Sequence, residues 1–411
     1  MSDMESTGPD RRTFITQSAG ALAAFALWPD TAFAAPRLGA RARKVGVIGI
    51  GRQGRDIVEQ LALLGAVEIA AVCDLAPTRV KAGQDRAAGA QGYSDYRELL
   101  KRPDIEVIFI ATPTHQHAQI VKDAVAARKH IYCEAPLAHT VEDARAIAAA
   151  AATQTDRIFQ SGLTARSNPL NKRARSLIRS DSVRDVVHMY AQAHQKTSWR
   201  FPTPSGMSEK DANWRLDPAV SIGLAGELGT HAIDFMRFIR SSEPAKVRGR
   251  GITRLWNDGR QMPDTVQFTM DWSDDVAFDF SGTLANSYGG EHQVVYGTNA
   301  AVKSAVRHAW FFKESDAATQ GWEVYATRQQ FGAEEGIVLV ADATQLAAQG
   351  LLKEGAGLEH PPLYYALADF IKSVDEGLAV AASAEDGMKA TIAGITAHKA
   401  VASRSEQVIP G

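Results

Sequence analysis

The spacing of apolar residues changes character once along this chain, near residue 165. Before that point, short apolar runs alternate with segments of helical spacing. Lys44-Val45-Gly46-Val47-Ile48-Gly49 is a run of the kind buried on both faces of a parallel sheet. From Arg55 to Leu64, the residues Ile57, Leu61 and Leu64 recur at helical spacing, and Val67 to Asp74 reads as a second strand ending in an acid. Tyr93 to Leu100 and Pro103-Asp104 lead into a strand from Val107 to Ala111, which stops at Thr112-Pro113-Thr114. A helix from about His115 to Arg128 follows, then the strand His130 to Cys133 ending at Glu134-Ala135-Pro136, a helix from Val141 to Thr153, and the closing strand Ile158 to Gly162. This rhythm predicts a doubly wound parallel sheet of the Rossmann type over residues 43–165.

From about Arg166 the pattern is richer in strands, and residues 166–411 are expected to form an α+β domain. Asp185 to His194 alternates, which suits a sheet with one face covered. Further strands are expected at 245–256, 264–272, 276–284, 291–296 and 300–304, with a helix from Gly226 to Ile239. The tail from Pro362 to Ser403 reads as two helices, with a turn near 379–384, packing back on the body.

Composition narrows the partners. A chain of 411 residues that is 45% hydrophobic, 22% charged and formally −2 has no electrostatic case for nucleic acid or an anionic membrane surface. No apolar run in its body reaches the roughly 18–20 residues of a membrane span. Two cysteines build no disulfide framework. Cys73 and Cys133 end strands that the usual sheet order separates, so both are expected as buried free thiols.

Arg11-Arg12, the weakly apolar Ser18 to Trp28 and Ala32-Phe33-Ala34 have the parts of a twin-arginine signal over 1–34, followed by a linker over 35–42. That route exports folded proteins through the twin-arginine machinery, here to the periplasm, where no soluble nicotinamide pool is expected. A dinucleotide enzyme working there should carry its cofactor tightly bound and return it to its starting redox state in each cycle.

The dinucleotide itself is read from Gly49-Ile50-Gly51-Arg52-Gln53-Gly54, which lies between a strand and a helix as a Rossmann phosphate loop does. Gly49 permits the tight turn, Gly51 admits the pyrophosphate and Gly54 allows helix and strand to touch. Asp74 would accept hydrogen bonds from the ribose hydroxyls and repel a 2′-phosphate, favouring NAD, while Arg79 nearby keeps NADP open. Ligands of such sheets sit beyond the carboxyl ends of the strands, so Thr112, Pro113, His117, Glu134, Ala135 and Pro136 are expected to face the cofactor. His115 and His117 have no third ligand at metal spacing, and no metal is expected.

The glycine loop, Ala111-Thr112-Pro113 with His117, Cys133-Glu134-x-Pro136-Leu137 and Glu227-Leu228-Gly229-Thr230-His231-Ala232-Ile233-Asp234 together resemble the Gfo/Idh/MocA family of sugar and polyol oxidoreductases. The resemblance implies a bound NAD(P), a carbohydrate substrate, and a second domain built on a large, mostly antiparallel sheet that covers the nicotinamide and builds a homo-oligomer interface. It also marks two departures. Ala135 stands where the family carries a lysine that supports deprotonation of the reacting hydroxyl, and Glu227 stands where many members have aspartate. His231 then remains the catalytic candidate, with Glu227 as a stand-in and His194 or Lys196 as a replacement base. Alternatively, His231 is a buried helix histidine satisfied by Asp234. Arg166, Trp199, Arg200, Trp214, Arg215 and Asp234 are candidates for sugar contact, since aromatic faces and bidentate donors match C–H faces and hydroxyl edges. Three readings follow: a sugar oxidoreductase; an NAD-dependent glycosidase that oxidises a ring hydroxyl transiently, eliminates the aglycone, adds water and re-reduces; and a non-catalytic sugar-binding homologue.

Overall fold

Each apolar run of the first half becomes a short strand, and its β-branched residues fill both faces of one sheet. These features come from a computed structural model that describes residues 42–341 and 357–411. The expected signal (1–34) and residues 35–41 of the linker lie outside the described residues.

The six strands β1 (Arg43–Ile48), β2 (Val67–Cys73), β3 (Gln91–Tyr93), β4 (Val107–Ile110), β5 (His130–Cys133) and β6 (Phe159–Ser161) are all parallel, in the order β3-β2-β1-β4-β5-β6. Helices α1 (Arg52–Leu63), α2 (Pro77–Gln84), α3 (Tyr96–Leu100), α4 (His117–Ala126) and α5 (Val141–Ala152) connect them. The segment 93–100 resolves into the last residue of β3 and helix α3, which Asp95 caps by accepting from the Arg97 N–H. Cys73 and Cys133 are buried free thiols on β2 and β5, with β1 and β4 between them.

The second half holds α6 (Pro169–Arg179), α7 (Glu209–Ala212), α8 (Gly223–Glu227) and α9 (Gly229–Arg240), with the strands β7 (Val186–His194), β8 (Lys246–Ile252), β9 (Thr265–Asp271), β10 (Ala277–Thr283), β11 (Glu291–Gly297), β12 (Ala300–Ala305), β13 (Ala309–Lys313), β14 (Arg328–Phe331), β15 (Glu334–Val338) and β16 (Gln407–Val408). They form a ten-stranded sheet in the order β14-β15-β13-β12-β11-β7-β10-β9-β8-β16, antiparallel except where β7 pairs β10. One face buries Met189, Ala191, Phe268, Phe278 and Phe280 against Ile233 and Met236 of α9. Burying such side chains contributes roughly 1.5–3 kcal/mol each, so this face fixes the register of the sheet.

The expected helix 226–239 is two helices broken at Leu228. Gly229, which begins α9, lies so close to β9 that a Cβ there would sit 2.9 Å from the Phe268 ring, so backbone and sheet meet at the break. The C-terminal helices α10 (Pro362–Glu376) and α11 (Ala384–Ser403) return to the first sheet. Phe370 of α10 packs on Phe109 and Tyr132, and Ile392 and Ile395 of α11 join the cluster of Leu137 and Ile147. Cross-bonds seal the contact: Gln160 Nε2 donates to the Ala366 carbonyl (3.0 Å) and Leu137 N to Thr391 Oγ1 (2.9 Å). The described residues from 42 onward thus form one body, with a cleft between the two sheets.

Candidate active site

The cleft has a volume of about 1180 Å³, and the loops after β1, β2, β4 and β5 form one of its walls. That exceeds the roughly 300–1,000 Å³ of a site for one small ligand. Three glycines shape its floor, each differently. Gly49 has φ +91°, and a Cβ there would lie 2.7 Å from the Ala111 carbonyl. A Cβ on Gly54 would fall on the Gly49 carbonyl oxygen, whereas one on Gly51 would meet no protein atom within 4 Å. The space over Gly51 is therefore held open for something else. Helix α1 starts there with neither a side-chain cap nor an acidic residue in its first turn, so its N–H groups and positive dipole end are free for an anion.

Asp74 ends β2 at the edge of the same cleft. Its oxygens accept from Ile50 N (2.8 Å) and Ala76 N (2.9 Å), and Arg79 Nη1 lies 4.0 Å away. A carboxylate offers about four acceptor positions, so ribose hydroxyls can still be held. Thr112 and Pro113 line the cleft after β4, and the buried Thr112 Oγ1 has no partner among the described residues. An open glycine, an uncapped helix and an orphaned hydroxyl in one groove fit a dinucleotide.

His117 is nearly inaccessible, its ring between the Thr112 carbonyl (2.9 Å) and the Pro136 carbonyl (3.1 Å), and burial lowers its pKa to about 4. It holds the β4 and β5 loops together. Gln53 Nε2 donates to Glu134 Oε1 (3.0 Å), tying the glycine loop to the end of β5. Burial raises the Glu134 pKa to about 7 against the opposing effect of that bond.

The opposite wall comes from the 199–215 segment and the break between α8 and α9. Glu227, buried, has Thr114 Oγ1 3.2 and 3.3 Å from its two oxygens and Arg215 Nε at 3.8 Å; burial raises its pKa to about 7. His231 lines the cleft, is hydrogen-bonded to the Ala135 carbonyl, and has its pKa lowered by burial. The Arg215 guanidinium lies 4.4 Å over the Trp214 ring and 5.7 Å from that of Trp199, and all three side chains line the cleft.

Four expected catalytic or substrate residues and the expected cofactor-facing Pro136 lie outside the cleft lining, and Asp234 touches it with its carboxylate already engaged. Asp234 is fully buried and accepts from Arg166 Nε and Nη2 (2.8 Å each) and Arg237 Nη1 (2.9 Å), so its carboxylate has no room for substrate. Arg166 is held by Asp234 and Asp386, and does not line the cleft. Arg200 is exposed and paired with Glu209 and Asp258. His194 lies outside the cleft lining, where it meets Ser281 Oγ (2.9 Å) and the Tyr288 carbonyl (3.2 Å), and Lys196 is exposed beyond the end of β7. Neither side chain lines the cleft. Conversely, Asn171, Gln293 and Glu291 line the cleft without having been anticipated. They are single polar residues in α6 and β11, and only strand pairing brings β11 beside the site. Among the described residues no three His, Cys, Asp or Glu side chains group as metal ligands.

Comparison with known proteins agrees with this geometry. Residues 43–162 match the model of the oxidoreductase family with an NAD-binding Rossmann fold, and residues 171–303 match the GFO/IDH/MocA C-terminal domain; together these cover more than half of the chain. An inositol 2-dehydrogenase of Salmonella typhimurium is 30% identical over 169 residues, 40% of this chain and half the length of that protein. A glycosyl hydrolase family 109 protein of Shewanella is 38% identical over 109 residues, 24% of each chain. The fold matches that of levoglucosan dehydrogenase in complex with NADH and levoglucosan, with a TM-score of 0.71 and 21% identity over 90% of this chain and all of that one.

Proposed function

The chain belongs to the GFO/IDH/MocA family of NAD-binding oxidoreductases, and from that premise we propose that it moves a hydride between NAD and a hydroxyl-bearing carbon of a sugar or sugar derivative. Bound NAD supplies the hydride acceptor. The single observation that carries the proposal is the position of His231 in the cleft of the glycine loop, with its ring donating to the Ala135 carbonyl. That donation fixes the N–H on one ring nitrogen and leaves a lone pair on the other. Burial keeps the ring neutral, so its free nitrogen can take the hydroxyl proton as the hydride leaves carbon. Trp199 offers ring surface to a sugar, while the buried Trp214 backs the Arg215 guanidinium. The likeness to an inositol dehydrogenase supports a polyol or sugar as substrate.

A second reading has its own support. Ala135 removes the cationic partner of the reacting hydroxyl, and Glu227, with a pKa of about 7, is an acid able to protonate a departing aglycone. This suits the NAD-dependent glycosidase cycle, as does the likeness to a family 109 hydrolase. Both readings share the hydride step. Anaerobic incubation with sugars and with their aryl glycosides separates them. A lasting rise in reduced-nicotinamide absorbance with an oxidised sugar favours the first, and aglycone release without net redox change favours the second. If neither signal appears although the protein carries NAD, the non-catalytic reading stands.

The leader with Arg11-Arg12 supports export by the twin-arginine route to the periplasm, and with it a captive, internally recycled cofactor. The half-exposed face of the large sheet, with His188, Tyr190 and Tyr296, is the surface we assign to a homo-oligomer.

A further inference from the structure

Arginines behind and outside the cleft are spoken for, and of the four that line it Arg55 donates to the Ile50 carbonyl (3.3 Å) and Arg79 faces Asp74 at 4.0 Å. Arg166 is bonded to Asp234 and Asp386, Arg237 to Asp234 and Glu243, and Arg200 to Glu209 and Asp258. Arg215 differs. Among the described residues its guanidinium makes no hydrogen bond: its contacts are the Trp214 and Trp199 rings and the Glu227 carboxylate at 3.8 Å. Five N–H donors in a planar fork are thus held against an aromatic face with nothing to receive them, and about 40% of the side chain opens into the cleft. The ring contact costs the guanidinium none of its in-plane donors, since it engages the face and leaves the edge free. Glu227 pairs with the guanidinium in charge but takes no hydrogen bond from it, its nearest oxygen lying 3.8 Å from Nε.

A second guanidinium without a hydrogen bond among the described residues, that of Arg52, lines the same cleft from the first residue of α1, at the uncapped helix terminus. Two such cations in one cleft, one of them at a helix N-terminus, favour a negatively charged occupant.

We propose that Arg215 is the receptor for an oxyanion in the cleft, binding it through the free edge of a guanidinium that the two tryptophans hold in plane. This rests on the oxidoreductase reading and adds a charge requirement to it. Two occupants present that chemistry: the pyrophosphate of the dinucleotide and the carboxylate of an acidic sugar.

The test compares wild type, Arg215→Gln and Arg215→Lys, each shown to be folded by its melting temperature. In one arm NADH is titrated into nucleotide-free protein and followed by tryptophan quenching. In the other, glucuronate and glucose are titrated calorimetrically in the presence and absence of NAD. If the oxyanion is the pyrophosphate, NADH binding weakens about tenfold to a hundredfold in Arg215→Gln, the worth of a charge-assisted hydrogen bond, and less in Arg215→Lys. If it is a substrate carboxylate, glucuronate binding weakens by that factor while NADH and glucose are unaffected. Unchanged NADH and glucuronate affinities in folded Arg215→Gln overturn the proposal. A wild type that binds no NADH strikes instead at the oxidoreductase reading, and the glucuronate arm then decides the role of Arg215.

Discussion

His231 and the glycine pair Gly51 and Gly54 set the sharpest expectations. His231 accepts a proton only when neutral, and burial moves its pKa below the ordinary imidazole value. Sugar oxidation should therefore fall on the acidic side, as pH drops through that lowered pKa, and stay level through the ordinary imidazole range. His231→Ala should lower kcat by about a hundredfold to ten-thousandfold and remove the acidic limb; an unchanged pH–rate profile would exclude His231 as the base. Gly51 and Gly54 make a paired test, because one opens to the cleft and the other abuts the Gly49 carbonyl. Gly51→Ala should fold with a wild-type melting temperature and lose NADH affinity. Gly54→Ala should lose stability first, as the loop and helix are forced apart. Both glycines were legible as a motif, and their different tasks follow from what surrounds each Cβ. The fate of Asp234 was not legible: its spacing from His231 suits a histidine partner, but its oxygens are taken by Arg166, 68 positions away, and by Arg237.

At the scale of elements, five of the six parallel strands were read correctly because each is a short apolar run closed by a turn or a helix, whereas β3, Gln91-Gly92-Tyr93, is no such run and was missed. The edges were harder. Helix α6 buries Leu170, Ala174 and Leu177 at i, i+4 and i+7, but the basic residues Lys172, Arg173, Arg175 and Arg179 between and beyond them mask that face as a polar stretch. Strands β13 to β15 pair at one side of the large sheet, where part of their surface stays exposed and the apolar signal thins. The break at Leu228 came from glycines read as part of one helix. The Asp234 ion-pair network joins α9 to the Arg166 turn and, through Asp386, to α11. Asp234→Ala would leave Arg166 and Arg237 buried without their shared partner and should cost about 3–5 kcal/mol. Denaturant unfolding measures that loss directly; a change below about 1 kcal/mol, the scale of an exposed pair, would show that the network does not brace the domain contact.

For the molecule as a whole, periodicity and motif order gave the two-sheet plan, the cofactor wall and its family. The substrate wall was only half visible. Trp199, Trp214, Arg215, Glu227 and His231 do line the cleft, whereas Arg166, Arg200, His194 and Lys196, drawn from the same polar stretch or the strand before it, face away from it or lie at its outside. Residue type alone could not separate them, because pairing partners distant in sequence decide which arginine is free. The two C-terminal helices, packed into clusters of the first sheet, hold both walls at a fixed separation. A cofactor seated between such walls is suited to remain with the protein through each cycle, as the export in folded form that we propose would require. The direct test is to isolate the full chain from the cells that make it, desalt it, denature it and assay the supernatant for nicotinamide dinucleotide. The account predicts close to one NAD per chain, retained through desalting and reduced in Gly51→Ala; a wild-type protein that releases none would contradict it.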